Sequence, residues 1–102
     1  MQEDFVEWRQ TAIAAAKSAG VKWLDLTTAS TDYVNAIGAE NAATYDLSEG
    51  DGTHINTAGG TVFGRMVADL LIEERPDVEE YIIPNEELSE KIAAGEYATG
   101  DE

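Results

Sequence analysis

Asp51-Gly52-Thr53-His54 sets a carboxylate three residues before the only histidine of the chain. That separation lets a single loop bring the Asp51 side chain beside the His54 imidazole. A carboxylate on one ring nitrogen fixes the tautomer and leaves the other nitrogen free to take a proton from a nucleophile. His54 so held is a general base in need of a serine or cysteine. There is no cysteine, and the serines are Ser18, Ser30, Ser48 and Ser89. Only Ser48 is near His54 in sequence, and its neighbours, Asp46 to Gly50, are those of a turn. The competing reading of Asp51 and His54 is a turn-forming Asp-Gly followed by an incidental surface histidine.

The elements that must position the pair follow from periodicity and end signals. Glu3 to Ala19 reads as a helix with acids in its first turn, Gly20 as its stop, and an apolar face of Phe5, Trp8, Ala12, Ala15 and Ala19. Val21-Lys22-Trp23-Leu24-Asp25-Leu26 reads as a short strand buried on both faces, which implies a parallel sheet. Ser30 or Thr31 is expected to cap a second helix running through Tyr33, Val34 and Ile37 to Gly38. Ala39 to Gly50 reads as a loop. Asn56 caps the next helix, whose apolar face is Val62, Phe63, Met66, Val67, Leu70 and Leu71 and whose end is set by Pro76. Gly59 and Gly60 in its first turn imply close approach of another element. Asn85 caps a short helix over 86–94, and Gly95 to Glu102 reads as frayed. Trp8 and Trp23 are expected in the core, while Tyr33 and Tyr45 flank the loop that leads to His54.

Composition narrows the function classes. The chain has 102 residues, 21 Asp and Glu against 6 Lys and Arg, and a net charge of −15. This disfavours nucleic acid and anionic membrane as partners. The charge is uneven, with 11 acids and 2 bases from Glu73 onward. No apolar run approaches the ~20 residues of a membrane span, and Met-Gln-Glu-Asp-Phe is not a signal peptide. Asp46-x-Ser48-x-Gly50-Asp51 fails as a calcium loop, because Asp51 stands where glycine is needed and Thr57 where glutamate is needed. One histidine and no cysteine disfavour zinc, so no metal is expected.

The run Asp51-Gly52-Thr53-His54-Ile55-Asn56-Thr57-Ala58-Gly59-Gly60 resembles the final conserved block of the SGNH hydrolases, or GDSL esterases. Within that family it is most similar to the rhamnogalacturonan acetylesterases, which remove acetyl groups from pectin. The resemblance covers roughly residues 3–75. It implies a three-layer α/β/α fold of which this chain is the C-terminal portion, mostly helical with one strand. It divides the chain into 1–75, part of the hydrolase-like domain, and 76–102, an acidic tail with a short helix. It implies that His54 is the general base and Asp51 its orienting carboxylate, acting on acetylated carbohydrate with no cofactor. Asn56, Gly59 and Gly60 become structural. The Gly-Asp-Ser nucleophile and the Gly-x-Asn-Asp of the family are absent here, so the chain is expected to be inactive alone. Secretion would follow if the parent protein behaves as pectin-acting relatives do. Self-association through the exposed strand edge is a further expectation. The alternative function is a non-enzymatic acidic interaction domain, or a catalytically dead truncated hydrolase.

Overall fold

The computed structural model describes residues 5–102, and these are helical with connecting loops. The order is α1 (Val6–Ala19), α2 (Leu26–Ile37), α3 (Ala39–Ala43), α4 (Thr57–Glu74), a 3₁₀ segment (Pro76–Tyr81) and α5 (Glu86–Ala94). The expected start of the first helix at Glu3 and Asp4 lies outside the described residues. No helix among the described residues is long and apolar enough to cross a membrane.

The α/β expectation is overturned. There is no strand or sheet among the described residues, and the sole ladder-type pairing is one antiparallel bridge between Asp46 and Ile55. The expected strand over 21–26 is an irregular connection whose last residue, Leu26, already begins α2. The cause is local. Asp25 Oδ1 accepts from the Thr28 amide at 3.2 Å, capping α2 five or six residues earlier than Ser30 or Thr31 would. With no neighbouring strand to complete a ladder, that capping bond decides the conformation. Arg9 reinforces it from α1, its Nε donating to both Asp25 oxygens at 2.8 and 3.0 Å. The guanidinium holds the Asp25 carboxyl down at about 2. No strand edge is therefore formed here for self-pairing, although Val21, Trp23 and Leu26 are exposed.

α2 is rich in β-branched residues and weak in intrinsic propensity. It is held by the Asp25 cap and by burial of Ser30, Tyr33 and Ile37, spaced three and four residues apart on one face. α4 buries Val62 and Met66, also four apart, against α2 and α5. Leu88 of α5 and Ala98 complete the core with Tyr33, Ile37 and Tyr45. Phe63 stands edge-on to Tyr45, their ring centroids 5.5 Å apart.

The first helix differs from expectation in what it buries. None of its residues is buried, and the face expected inside (Phe5, Trp8, Ala12, Ala15, Ala19) is exposed, Trp8 at 75%. Arg9, Ile13 and Ala16 face the body instead. Trp23 is likewise partly exposed, with Lys17 Nζ 5.5 Å from its ring centroid. The tyrosines fill the core in place of the tryptophans. The radius of gyration, 14.4 Å, exceeds the about 13 Å of a closely packed chain of 100 residues, consistent with α1 lying at the periphery.

Gly95 to Glu102 is folded rather than frayed. Ala98 is fully buried, and Tyr33 and Tyr45 bind its backbone. Glu102 accepts from Lys91 Nζ at 2.9 Å and from the Thr99 and Gly100 amides at 3.1 and 2.9 Å. These bonds lock a turn that composition alone makes look unstructured.

Candidate functional site

Two paired arms carry Asp51 and His54. Asn56 N donates to the Tyr45 carbonyl at 2.8 Å, and Leu47 N donates to the His54 carbonyl at 3.0 Å. Between the arms, Asp51 N donates to the Ser48 carbonyl at 3.0 Å and closes the tip. The glycines at 50 and 52 suit this tight reversal, Gly50 having a φ of +81°.

Asp51 organises the tip. Its Oδ1 accepts from the Thr53 amide at 2.9 Å and the His54 amide at 3.1 Å. Its Oδ2 lies 3.1 Å from His54 Nδ1. The Thr53 and His54 amides, with the imidazole behind them, hold the Asp51 carboxyl below the usual carboxylate range. An ionised carboxylate only accepts hydrogen bonds, so Nδ1 is the donor in this contact, which makes Nε2 the acceptor whenever the ring is neutral. The His54 side chain is 71% exposed, so Nε2 is open to a reacting group. The two residues singled out from the sequence are thus brought together in the geometry a base and its orienter need.

No serine completes the set among the described residues. Ser30 Oγ is turned to the Thr27 carbonyl, and Ser89 Oγ binds Asp69. Ser18 and Ser48 are exposed, and neither side chain bonds the His54 ring. No three His, Cys, Asp or Glu side chains among the described residues converge to hold a metal ion.

A cleft of about 600 Å³ opens beside the loop. Leu26, Val34, Ala42, Tyr45 and Phe63 are among its lining, as are the rim residues Gly52 and Thr53 of the loop, while Asp51 and His54 are not. The rim residues lie between Asp51 and His54 in sequence, so the cleft adjoins the pair. Small residues at 38, 39, 42 and 43 are part of its lining.

The two glycines of the first α4 turn play different parts. A Cβ on Gly59 would lie 2.9 Å from Ile55 Cβ and 3.0 Å from the Tyr45 carbonyl oxygen, so the loop passes over bare backbone there. A Cβ on Gly60 would meet nothing within 4 Å. The close approach expected of both residues belongs to Gly59 alone. Sequence reasoning placed Tyr45 beside the loop, where it lines the cleft, but missed its backbone pairing with Asn56 and its burial in the core. Its place two residues after a short alanine-rich segment gave no periodic signal.

Comparison of the chain with protein-family models, with curated proteins and with solved structures finds no match in any of the three.

Proposed function

We propose that this chain supplies the base half of a serine-dependent ester hydrolase site that removes acetyl groups from carbohydrate of the pectin type. The observation that carries the reading is the Asp51–His54 pair, joined at 3.1 Å through Nδ1 with Nε2 exposed. The resemblance of residues 51–60 to the closing block of the acetylesterases supplies the substrate class. The reading does not depend on an α/β sheet, because Ser-His-Asp constellations serve on unrelated folds.

The chemistry assigned to the pair is general-base, then general-acid catalysis. A serine other than Ser18, Ser30, Ser48 and Ser89, brought by the serine-bearing part of the site, attacks the acetyl carbonyl carbon, and His54 Nε2 takes its proton. The tetrahedral oxyanion collapses, the sugar oxygen leaves, and His54 returns the proton to it. Water then attacks the acetyl-serine with His54 again as base, releasing acetate and free serine. Asp51 holds the ring and stabilises its protonated form throughout.

Acetate release from acetylated rhamnogalacturonan oligosaccharides by the active protein tests this. His54→Ala is expected to lower kcat by roughly 10⁶-fold, and Asp51→Asn by roughly 10⁴-fold. Ser48→Ala should leave it unchanged. Equal activity in the His54→Ala protein would sink the reading.

A second reading, a non-enzymatic acidic interaction domain, is favoured by α1, which buries no residue and leaves Val6 and Trp8 exposed, with Phe5 and Val21 exposed on either side of it. Large exposed apolar patches mark interaction surfaces. On this reading the chain binds a hydrophobic dye, Trp8→Ala weakens that binding, and no variant of His54 has any consequence.

A further inference from the structure

Asn56 does more than cap α4. Its Oδ1 accepts from the Gly59 amide at 2.9 Å, which is the capping bond. Its Nδ2 donates to the carbonyls of Thr44 at 2.8 Å and Asp46 at 3.1 Å. Its backbone amide donates to the Tyr45 carbonyl. One side chain therefore ties the first turn of α4 to the far arm of the loop bearing Asp51 and His54.

The contact between Asp51 and His54 is local, set by the amides of Thr53 and His54 on Asp51 Oδ1, and needs no help from Asn56. What the local turn cannot set is the position of the pair relative to α4 and the cleft. Without the carboxamide N–H bonds, the arms of the loop keep two backbone links, from Leu47 to His54 and from residue 56 to Tyr45. Those two bonds lie within the loop, as does the bond from Asp51 to Ser48 that closes the tip, so the seat of the loop on α4 would rest on the packing of Ile55 and Tyr45 over Gly59 alone. A catalytic base displaced by about 1 Å can cost roughly 100-fold in rate.

We propose that Asn56 is the positioning residue of the Asp51–His54 pair, holding it in place on α4 through its side-chain N–H groups; this rests on the hydrolase reading above. Asn56 touches no reacting atom. Its capping oxygen serves stability, and its two donors serve placement, so the two roles can be separated by substitution.

Asn56→Asp keeps a capping oxygen and the side-chain volume but has no donor for the Thr44 and Asp46 carbonyls. Asn56→Ser keeps a capping oxygen on a side chain too short to reach them, and decides the matter if the aspartate variant fails to fold. In either variant, the amides of Leu47 and of residue 56 should exchange with solvent about tenfold faster or more. Those of Gly59, Val62 and Met66 should keep their protection. In the active protein, kcat for acetate release should fall roughly 100-fold with KM unchanged. Unchanged exchange at Leu47 overturns the proposal, as does faster exchange confined to α4. Faster exchange with kcat retained overturns the role of Asn56 and leaves the hydrolase reading standing. A wild-type chain that releases no acetate even when joined to the serine-bearing part overturns that reading, and the proposal with it.

Discussion

The phenol hydroxyls of Tyr33 and Tyr45 meet at 3.1 Å in the centre of the chain, and between them they hold residues 96–98. Tyr33 accepts from the Ala98 amide at 2.9 Å and donates to the Glu96 carbonyl at 3.0 Å. Tyr45 donates to the Ala98 carbonyl at 2.5 Å. Every polar atom of this buried crossing is satisfied by another, and the last residues of the chain become part of the core.

Removing either hydroxyl should therefore loosen residues 96–98 from the core. Tyr33→Phe leaves the buried Ala98 amide without its acceptor, at a cost of about 1–3 kcal/mol. Tyr45→Phe costs about as much by orphaning the Ala98 carbonyl. Urea unfolding measures the loss, and amide exchange at Ala98 shows where it falls. Burial also pushes the Tyr45 phenol well above its ordinary range, with Tyr33 adding to the shift. A phenol whose folded pKa is raised contributes stability that is intact below its unfolded pKa of about 10 and lost as pH rises beyond it. Ultraviolet titration, compared with Tyr45→Phe, should show Tyr45 ionising only with unfolding.

Glu102 predicts the opposite pH dependence. Lys91, then the Thr99 and Gly100 amides, hold its carboxyl down at about 2. A depressed folded pKa contributes stability that is present above the unfolded value and lost as pH falls toward the folded one. The window runs from about 4.5 to about 2. At neutral pH Glu102→Gln should melt below the wild type, and the gap should close across that window. The difference between the two proteins is the readout. Net charge, at −15, makes the wild type respond to acid through relief of repulsion as well.

Gly59 and Gly60 should respond to alanine with opposite signs. Gly59→Ala forces a methyl against the Tyr45 backbone and Ile55, and should destabilise by about 1–3 kcal/mol. Gly60→Ala meets open space and should stabilise α4 by about 0.5–1 kcal/mol. Thermal melts of the two single variants check both. Two neutral results would mean that the loop is not seated on α4.

What was legible in the sequence was whatever depended on near neighbours. The Asn56 cap, the apolar face of α4, its end before Pro76, and the Asn85 cap of α5 all stand as their residue types imply. So does the meeting of Asp51 with His54, which a spacing of three nearly guarantees once Asp51 binds the following amides. What failed depended on distant partners. Val21 to Leu26 has the composition of a strand, yet a strand needs a neighbour, and Asp25 offered a helix cap instead. Trp8 has the periodicity of a core residue but finds nothing to pack on. Ala98 gives no sign in its surroundings that two tyrosines far upstream bind it. The core role of Tyr45 was hidden for the same reason, since its partners are Ala98, Tyr33 and Phe63 rather than its sequence neighbours.

The central claim is that Asp51 places the proton on His54 Nδ1 and leaves Nε2 as the base. Nitrogen-15 correlation spectra of the neutral His54 ring measure this directly, in the wild type and in Asp51→Ala. The account predicts an Nδ1–H tautomer in the wild type and its loss in the variant, with the loop amide of Leu47 still protected. An Nε2–H ring in the wild type, or a tautomer indifferent to Asp51, would contradict it and leave His54 an ordinary surface histidine.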